Sequence, residues 1–191
     1  MATVATKLMT AEEFYHFANL PENRDKRFEL ERGEIVEMSR PGKRHGLVCG
    51  NSTGILRNFA IARKKGYVCS NDTGVVVERD PDTVRGPDIL FFEDATRFED
   101  VEEKYGEQPP LLAIEVLSPN DTYSEIRQRI QDQLACGTKL VWVIDPEARK
   151  ITVHQQGQED YSLGENDDLT GDKVLPDFRC TVAEFFKLPG Q

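Results

Sequence analysis

The 191-residue sequence lacks the features that would assign it to several common classes of protein. Its four cysteines, Cys49, Cys69, Cys136 and Cys180, contain no C-x-x-C pair, which argues against a zinc knuckle, a thioredoxin-type motif and a disulfide framework. No apolar stretch approaches the length of a membrane span, and residues 1–7 lack the apolar core of a secretory signal. We therefore expect a cytoplasmic protein that makes no use of a membrane.

Positive charge is also scarce, because 24 Lys and Arg stand against 34 Asp and Glu, for a formal net charge of -10. This balance opposes non-specific binding to nucleic acid, which depends mainly on clustered Lys and Arg, so local basic patches must be considered separately. The chain contains no internal repeat, low-complexity tract or Pro/Gly/Ser linker that would divide it. Its length suits one domain with a substantial core, so we predict a single domain over residues 1–191.

The P-loop, G-x-G-x-x-G and H-E-x-x-H motifs are absent, but Gly50–Gly54 reads G-x-S-x-G, the nucleophile-elbow pattern of serine hydrolases. That elbow requires a strand before Ser52 and a helix after it. Instead, the apolar residues on both sides continue one helical face; these are Leu47, Val48, Ile55 and Leu56. The acid and histidine of a triad could come only from candidates such as Asp145 and His154. A serine hydrolase is therefore the weaker hypothesis.

Capping residues and hydrophobic periodicity predict an α+β order of elements. Thr10 and Glu13 have the spacing of a capping box and open a short helix, and Arg32-Gly33 joins a predicted hairpin. A long amphipathic helix is predicted over 47–62, with a basic last turn at 63–65 and a stop at Gly66. The remaining predictions are strands at 67–70, 74–78, 88–92, 111–117, 139–144 and about 150–163, a helix over 123–136 ended by Gly137, and a last helix near 181–187.

Two acidic residues stand in strands whose composition indicates burial. Glu115 lies in the apolar run 111–117, and Asp88 opens the run 88–92. An ionised carboxylate in such a place must be paired, protonated or bound to a cation, so the two acids suggest a cation site. The simpler interpretations are a buried ion pair of Glu115 with Arg85 or Arg129, and a turn-capping role for Asp88.

The ordered set of short motifs resembles the Uma family of restriction-endonuclease-like proteins, within the PD-(D/E)XK nuclease superfamily, from about Thr10 to Phe186. The residues that carry the resemblance are Phe28–Val36, Met38, His45, Pro87-Asp88, Glu115–Pro119, Gly137, Val141–Pro146 and Leu175–Phe178. The resemblance implies an α+β fold with a restriction-endonuclease-like core. In that fold a mixed central β-sheet is flanked by helices, with an extra N-terminal helix and hairpin.

The resemblance also implies a site for Mg²⁺ or Mn²⁺, hard cations that prefer oxygen ligands. Asp88 and Glu115 would be the ligands, together with the carbonyl of Val116, and Glu29 could add a carboxylate. Arg129 occupies the helix position where the family carries a lysine. Arginine cannot act as a base at neutral pH, but it can bind phosphate at two points and stabilise negative charge. Glu29 could equally be an exposed hairpin acid, and Arg129 a solvated helix residue.

The sequence departs from the superfamily pattern at Leu117, where a lysine usually follows the Glu by two residues. Lys139 is a fallback cation, and Gln133 stands where the family often carries an aromatic residue. The cluster Lys43, Arg44 and His45 is a candidate for phosphate contacts, although clustered charge is more often a solvated helix start.

The predicted function is a divalent-metal-dependent endonuclease that hydrolyses DNA phosphodiester bonds. A homodimer is expected by analogy, because two-fold DNA sites suit two-fold proteins. The alternative is a non-catalytic nucleic-acid-binding or protein-interaction module that retains the nuclease core. Net acidity, Arg129 and Leu117 favour this alternative, whereas the retention of Asp88 and Glu115 opposes it.

Overall fold

A computed structural model describes residues 8–190 of the chain. Its helices are α1 (Ala11–Ala18), α2 (Lys43–Arg63) and α3 (Tyr123–Cys136), with short 3-10 helices at Pro21–Asn23, Phe98–Asp100 and Val182–Phe185. Its strands are β1 (Arg27–Glu31), β2 (Glu34–Met38), β3 (Tyr67–Ser70), β4 (Val75–Glu78), β5 (Thr83–Arg85), β6 (Ile89–Phe92), β7 (Leu112–Val116), β8 (Leu140–Asp145), β9 (Lys150–His154), β10 (Tyr161–Gly164), β11 (Asp168–Gly171) and β12 (Leu175–Thr181).

The predicted mixed central sheet is confirmed. Six strands lie in the order β10-β9-β8-β7-β6-β3, and within this sheet β7 and β8 are parallel while the other pairs are antiparallel. A second, antiparallel sheet has the order β2-β1-β5-β4, and β11 and β12 form a separate hairpin. The helix between β7 and β8 is α3, as a parallel crossover requires.

The two faces of the central sheet are covered by different helices. Alternate residues of a strand point to opposite faces. Thus Leu112, Ile114 and Val116 of β7 share a buried cluster with Val48, Leu56 and Ala60 of α2. Ala113, between them, belongs to the cluster that packs against Ile130 and Leu134 of α3. Glu115 alternates in phase with Ala113 and is therefore placed on the α3 face.

Local sequence signals located most of the helix ends correctly. Thr10 forms the predicted capping box, Thr122 forms another with Glu125, and Gly137 ends α3 with a φ of 112°. Both ends of α2 differ from the prediction, and the helix begins at Lys43 instead of residue 47. Lys64, with a φ of 55°, ends the helix before Gly66, and its amide donates to the carbonyls of Ala60 and Ile61. Among the described residues no helix is both long and apolar enough to cross a bilayer.

The structure adds elements for which the sequence carried weak signals. β5 has only three residues, of which Thr83 and Arg85 are polar although buried, so no hydrophobic alternation marks it. The hairpin β11–β12 was not predicted, and its second strand contains Pro176. The last predicted helix is a single 3-10 turn at Val182–Phe185, and that turn still buries Val182 and Phe185.

Candidate active site

The two predicted metal-ligand acids meet at one end of the central sheet. In the antiparallel pair β6–β7, Ile89 lies opposite Ile114. Continuing this register by one residue places Asp88 opposite Glu115, so both side chains start from the same face. Oδ2 of Asp88 accepts a hydrogen bond of 2.8 Å from the backbone N–H of Val116. This bond fixes the Asp88 carboxylate beside the end of β7.

Glu115 is a buried acid whose carboxylate is only partly satisfied by neighbouring groups. The residue is 5% exposed, and its Oε1 is buried without a hydrogen-bond partner in the described part of the chain. Oε2 lies 3.9 Å from Nη1 of Arg129. Burial raises the pKa of Glu115 to about 8; Arg129 opposes this shift, and the negative charges of Asp88 and Glu29 add to it. An unpartnered buried oxygen needs either a proton or a cation.

Glu29 is buried and surrounded by donors instead of being an exposed hairpin acid. Arg129 donates to both of its oxygens, through Nη1 to Oε1 at 2.8 Å and through Nη2 to Oε2 at 2.9 Å. Nη1 of Arg85 donates to Oε2 at 3.1 Å, and the N–H of Gly86 donates to Oε1 at 3.0 Å. The carboxylate of Glu29 therefore holds two arginines in position at the floor of the site.

Asp132 and Glu31 complete this ionic network, and the sequence analysis singled out neither of them. Arg85 also donates through Nε to Asp132 at 2.9 Å and lies 3.4 Å from Glu31. Asp132 follows Arg129 by three residues, so both project from the same side of α3. This three-residue spacing was the sequence feature that could have indicated that Asp132 belongs to the site. Burial lowers the pKa of Arg129, but the charges of Glu115 and Glu29 outweigh this and hold the pKa above its ordinary value.

His45, near the start of α2, contacts one member of the acid pair, Asp88. Its Nε2 lies 3.3 Å from Oδ1 of Asp88, and its Nδ1 lies 3.3 Å from Sγ of Cys49. Burial lowers the pKa of His45, but the hydrogen bond and charge of Asp88 outweigh that effect, so the pKa is raised. The neighbouring Lys43 and Arg44 are exposed and line a separate depression, of about 540 Å³, beside the site.

A cleft of about 400 Å³ opens over the acids, and its floor and walls include Glu29, Asp88, Glu115, Val116 and Arg129. A second cavity of about 740 Å³ shares His45, Asp72 and Asp88 with it. Four basic residues, here called the basic rim, line these cavities in spite of the chain's acidity. Arg24, Lys26 and Arg27 line both cavities and Arg40 lines the second; Arg27 is paired with Asp72. They flank the β1–β2 hairpin, and the run 24–27 was the sequence signal that could have found them.

Other candidates lie away from this cleft. Lys139 is exposed before β8, at the opposite end of the sheet from Glu115, because β7 and β8 run parallel. Gln133 is a buried residue of α3 and accepts a hydrogen bond from Thr138. Leu117 is half-buried and lines the depression beside Lys43.

The serine-hydrolase hypothesis is wrong. Ser52 lies inside α2 rather than at a strand–helix elbow, it is fully buried, and its hydroxyl donates to the carbonyl of Val48 at 2.7 Å. Such a hydroxyl has no access to a substrate.

The donor set at the acid pair fits a hard divalent cation. Oε1 of Glu115 lacks a partner among the described residues, and Oδ1 of Asp88 faces the imidazole of His45. Both are carboxylate oxygens, the ligand type that Mg²⁺ and Mn²⁺ prefer, and Val116 lines the same cleft. Glu29 fits less well as a ligand, because both of its oxygens already accept hydrogen bonds.

Comparison with known proteins gives a family match and a fold match. The family model Uma2, described as "Putative restriction endonuclease", matches residues 11–183. The chain belongs to the Uma2 family. A solved structure described as a "putative nuclease belonging to DUF820", from Anabaena variabilis, has a TM-score of 0.77 and 20% sequence identity to this chain. The alignment covers 93% of this chain and 97% of the other. No curated protein sequence matches the chain.

Membership of the Uma2 family and the structural likeness confirm the resemblance and the α+β nuclease-like fold that the sequence predicted. At 20% sequence identity, the structural match supports the fold alone.

Proposed function

We propose that this Uma2 protein is a divalent-metal-dependent endonuclease that hydrolyses phosphodiester bonds of DNA. The observation that carries the proposal is the convergence of Asp88 and Glu115 at one sheet end, with a buried oxygen of Glu115 that has no partner in the described chain. Such an oxygen costs free energy unless a cation or a proton satisfies it. Strongly perturbed acids in a cleft are frequent at functional sites.

Asp88, Glu115 and the carbonyl of Val116 would hold the cation. When bound, Mg²⁺ or Mn²⁺ supplies Lewis-acid stabilisation of the negative charge on a phosphate. Arg129 holds a permanent positive charge 3.9 Å from Glu115, where it can attract a phosphate oxygen. Glu29 acts as a positioning residue, because its two bonds to Arg129 orient the guanidinium. No side chain is assigned as a general base.

The basic rim supports a polyanionic substrate. Arg24, Lys26 and Arg27 line the cleft and Arg40 lines the adjoining cavity, whereas the chain as a whole carries a net charge of -10. A positive rim around an acidic floor would attract the phosphate backbone to the place where the acids lie. We expect Lys43 and Arg44 to add phosphate contacts, since they are exposed next to the cleft.

Plasmid cleavage tests the proposal. We expect the protein to nick or linearise supercoiled DNA in Mg²⁺ or Mn²⁺ and to be inactive in EDTA. Asp88→Asn and Glu115→Gln should each lower the rate about a hundredfold or more, the usual scale for removing one electrostatic contributor at an active site. Glu159→Gln is the matched control, because Glu159 is exposed in the turn before β10.

Metal binding without DNA separates the proposal from its alternative. Calorimetry should show Mg²⁺ or Mn²⁺ binding that both acid substitutions abolish and the Glu159→Gln control retains. The alternative is a non-catalytic nucleic-acid-binding or protein-interaction module. The ion pair between Arg129 and Glu29 favours this alternative, because the arginine already has an anionic partner. Failure of the wild type to bind either ion at millimolar concentration, even with added DNA, would overturn the metal-dependent nuclease proposal.

We also propose a homodimer, on the general ground that two-fold proteins suit two-fold DNA sites. Sedimentation equilibrium with and without duplex DNA measures this directly. A protein that remains monomeric in both conditions would have to cut the strands in separate encounters.

A further inference from the structure

The cluster of His45, Cys49 and Asp88 has a ligand chemistry that the proposed Mg²⁺ site does not use. One ligand atom from each residue lies within 4.8 Å of the others. The three donors are an imidazole, a thiol and a carboxylate. We propose that they form a second, mutually exclusive site for a borderline-soft divalent cation of the Zn²⁺ class, which competes with the catalytic cation for Asp88.

Local structure places the three groups together. His45 and Cys49 are four residues apart in α2 and therefore lie one above the other on the same helix face. Asp88 reaches the same point from the start of β6, and its carboxylate is held there by the N–H of Val116. The helix pair and the strand acid come from separate elements, so this constellation is a product of the tertiary fold.

The separations suit a small ion. Nε2 of His45 is 3.3 Å from Oδ1 of Asp88, and Nδ1 is 3.3 Å from Sγ of Cys49. Ligand atoms around a tetrahedral Zn²⁺ lie about 3.4 Å apart, given bond lengths near 2.0–2.3 Å. The imidazole now bridges the other two groups with different nitrogens, so a rotation of its ring would bring one nitrogen to a shared ion.

The donor types select the ion. Thiolate and imidazole favour Zn²⁺ over Mg²⁺, which prefers oxygen and retains water. On coordination the thiol of Cys49 gives up its proton to solvent. The cluster is half-buried and lines the cavity of about 740 Å³, so an ion can reach it and water can fill the fourth position. Asp72 lines the same cavity, but its carboxylate is paired with Arg27.

Because Asp88 would serve both sites, occupation by Zn²⁺ removes a ligand from the catalytic cation. This consequence rests on the proposed nuclease function, but the site itself does not. We therefore expect Zn²⁺ to inhibit Mg²⁺-dependent cleavage, and Mg²⁺ to relieve the inhibition only at concentrations far above that of Zn²⁺, since sulfur adds affinity that Mg²⁺ cannot match.

Cobalt is a direct probe of the site, because Co²⁺ bound to a thiolate gives an intense near-ultraviolet charge-transfer band. We expect the wild-type protein to show this band on titration with Co²⁺, and Zn²⁺ to displace it. Cys49→Ser should abolish the band. Cys69→Ser is the matched control, because Cys69 is a half-buried free thiol of β3 and should leave the band unchanged. Asp88→Asn should weaken Co²⁺ binding about tenfold or more, and thermal melts confirm that each variant is folded.

The outcomes are distinct from those of the nuclease test. A wild-type protein without the band, or a Cys49→Ser protein that keeps it, overturns the proposal even if DNA is cleaved. A band that depends on Cys49 supports the site even if DNA is never cleaved. Where cleavage occurs, the Zn²⁺ concentration for half-inhibition should rise about tenfold or more in Cys49→Ser, with each rate divided by that variant's zinc-free rate. Equal inhibition of both proteins overturns the competition.

Discussion

The guanidinium of Arg129 and the carboxylate of Glu29 form a two-point ion pair, with bonds of 2.8 and 2.9 Å, between residues 100 positions apart in the chain. The pair joins α3 to β1 and lies beside Glu115. It gives both residues a defined place in the candidate site. Glu29 positions the arginine, and the arginine supplies charge next to the acid that has an unpartnered oxygen in the described chain.

Breaking this pair should be costly. Arg129→Met leaves Glu29 buried with only Arg85 and the Gly86 amide as donors among the described residues, and we expect a loss of about 2–4 kcal/mol in the free energy of unfolding. Urea unfolding measures the change. Arg179→Met is the control, because its partner Asp168 is largely exposed and such pairs contribute about 0–1 kcal/mol. Equal effects of the two substitutions would contradict the prediction.

The double variant Glu29→Gln/Arg129→Met isolates the coupling between the two residues. We expect it to be more stable than the sum of the two single effects implies, because each single change leaves a buried charge behind. Additive effects would mean that the two groups do not interact in solution.

The buried acid predicts how stability depends on pH in the absence of metal. The pKa of Glu115 is about 8 in the folded protein against an ordinary value of 4.5, so the folded state keeps a proton that the unfolded chain releases. The resulting stabilisation is complete below pH 4.5 and is lost as the pH rises to about 8, at about 1.4 kcal/mol per unit of pKa difference. Glu115→Gln should therefore gain stability relative to the wild type across this range.

Urea unfolding in EDTA at several pH values checks this expectation. The Glu159→Gln control should follow the wild type, since Glu159 is exposed. Curves for wild type and Glu115→Gln that stay parallel across this pH range would show that Glu115 titrates normally.

The basic rim predicts a salt-dependent affinity for DNA. Arg24→Gln and Arg40→Gln should each weaken binding and reduce the slope of log K against log salt by about 0.9 for each phosphate that is no longer neutralised. Fluorescence anisotropy with a labelled duplex in EDTA measures binding without cleavage. Lys173→Gln is the control, because Lys173 is exposed in the β11–β12 turn and lines neither cavity of the site. A control that loses as much affinity would indicate a diffuse charge effect.

The G-x-S-x-G pattern should have no catalytic part. Ser52→Ala removes only a buried hydrogen bond to the Val48 carbonyl within α2, and the helix propensity of alanine offsets part of that loss. We expect normal DNA cleavage and a stability change of about 1 kcal/mol or less. Assays with plasmid DNA and an activated ester make the comparison. Hydrolysis of the ester by the wild type but not by the variant would restore the hydrolase hypothesis.

The sequence predicted secondary-structure elements correctly where interactions within a few residues determine them. The bounds of α3 follow from the Thr122 cap and Gly137, because capping and a left-handed stop act within a few residues. The apolar residues around Glu115 were enough to predict the buried strand β7. Glu115 was recognised as a candidate site residue because burying a carboxylate costs free energy. β5 was not predicted because Thr83 and Arg85 are polar. Their burial is possible because Glu78 and Glu29 bind them in the folded structure.

The sequence by itself determined the element order, the two acids at strand positions and the family to which the chain belongs. Only the tertiary structure decided what those acids contact. Glu29 meets Arg129 and Arg85, and His45 meets Asp88, across separations that no local propensity controls. The physical reason is that strand register and helix packing set these contacts, and both depend on how the whole core is buried at once.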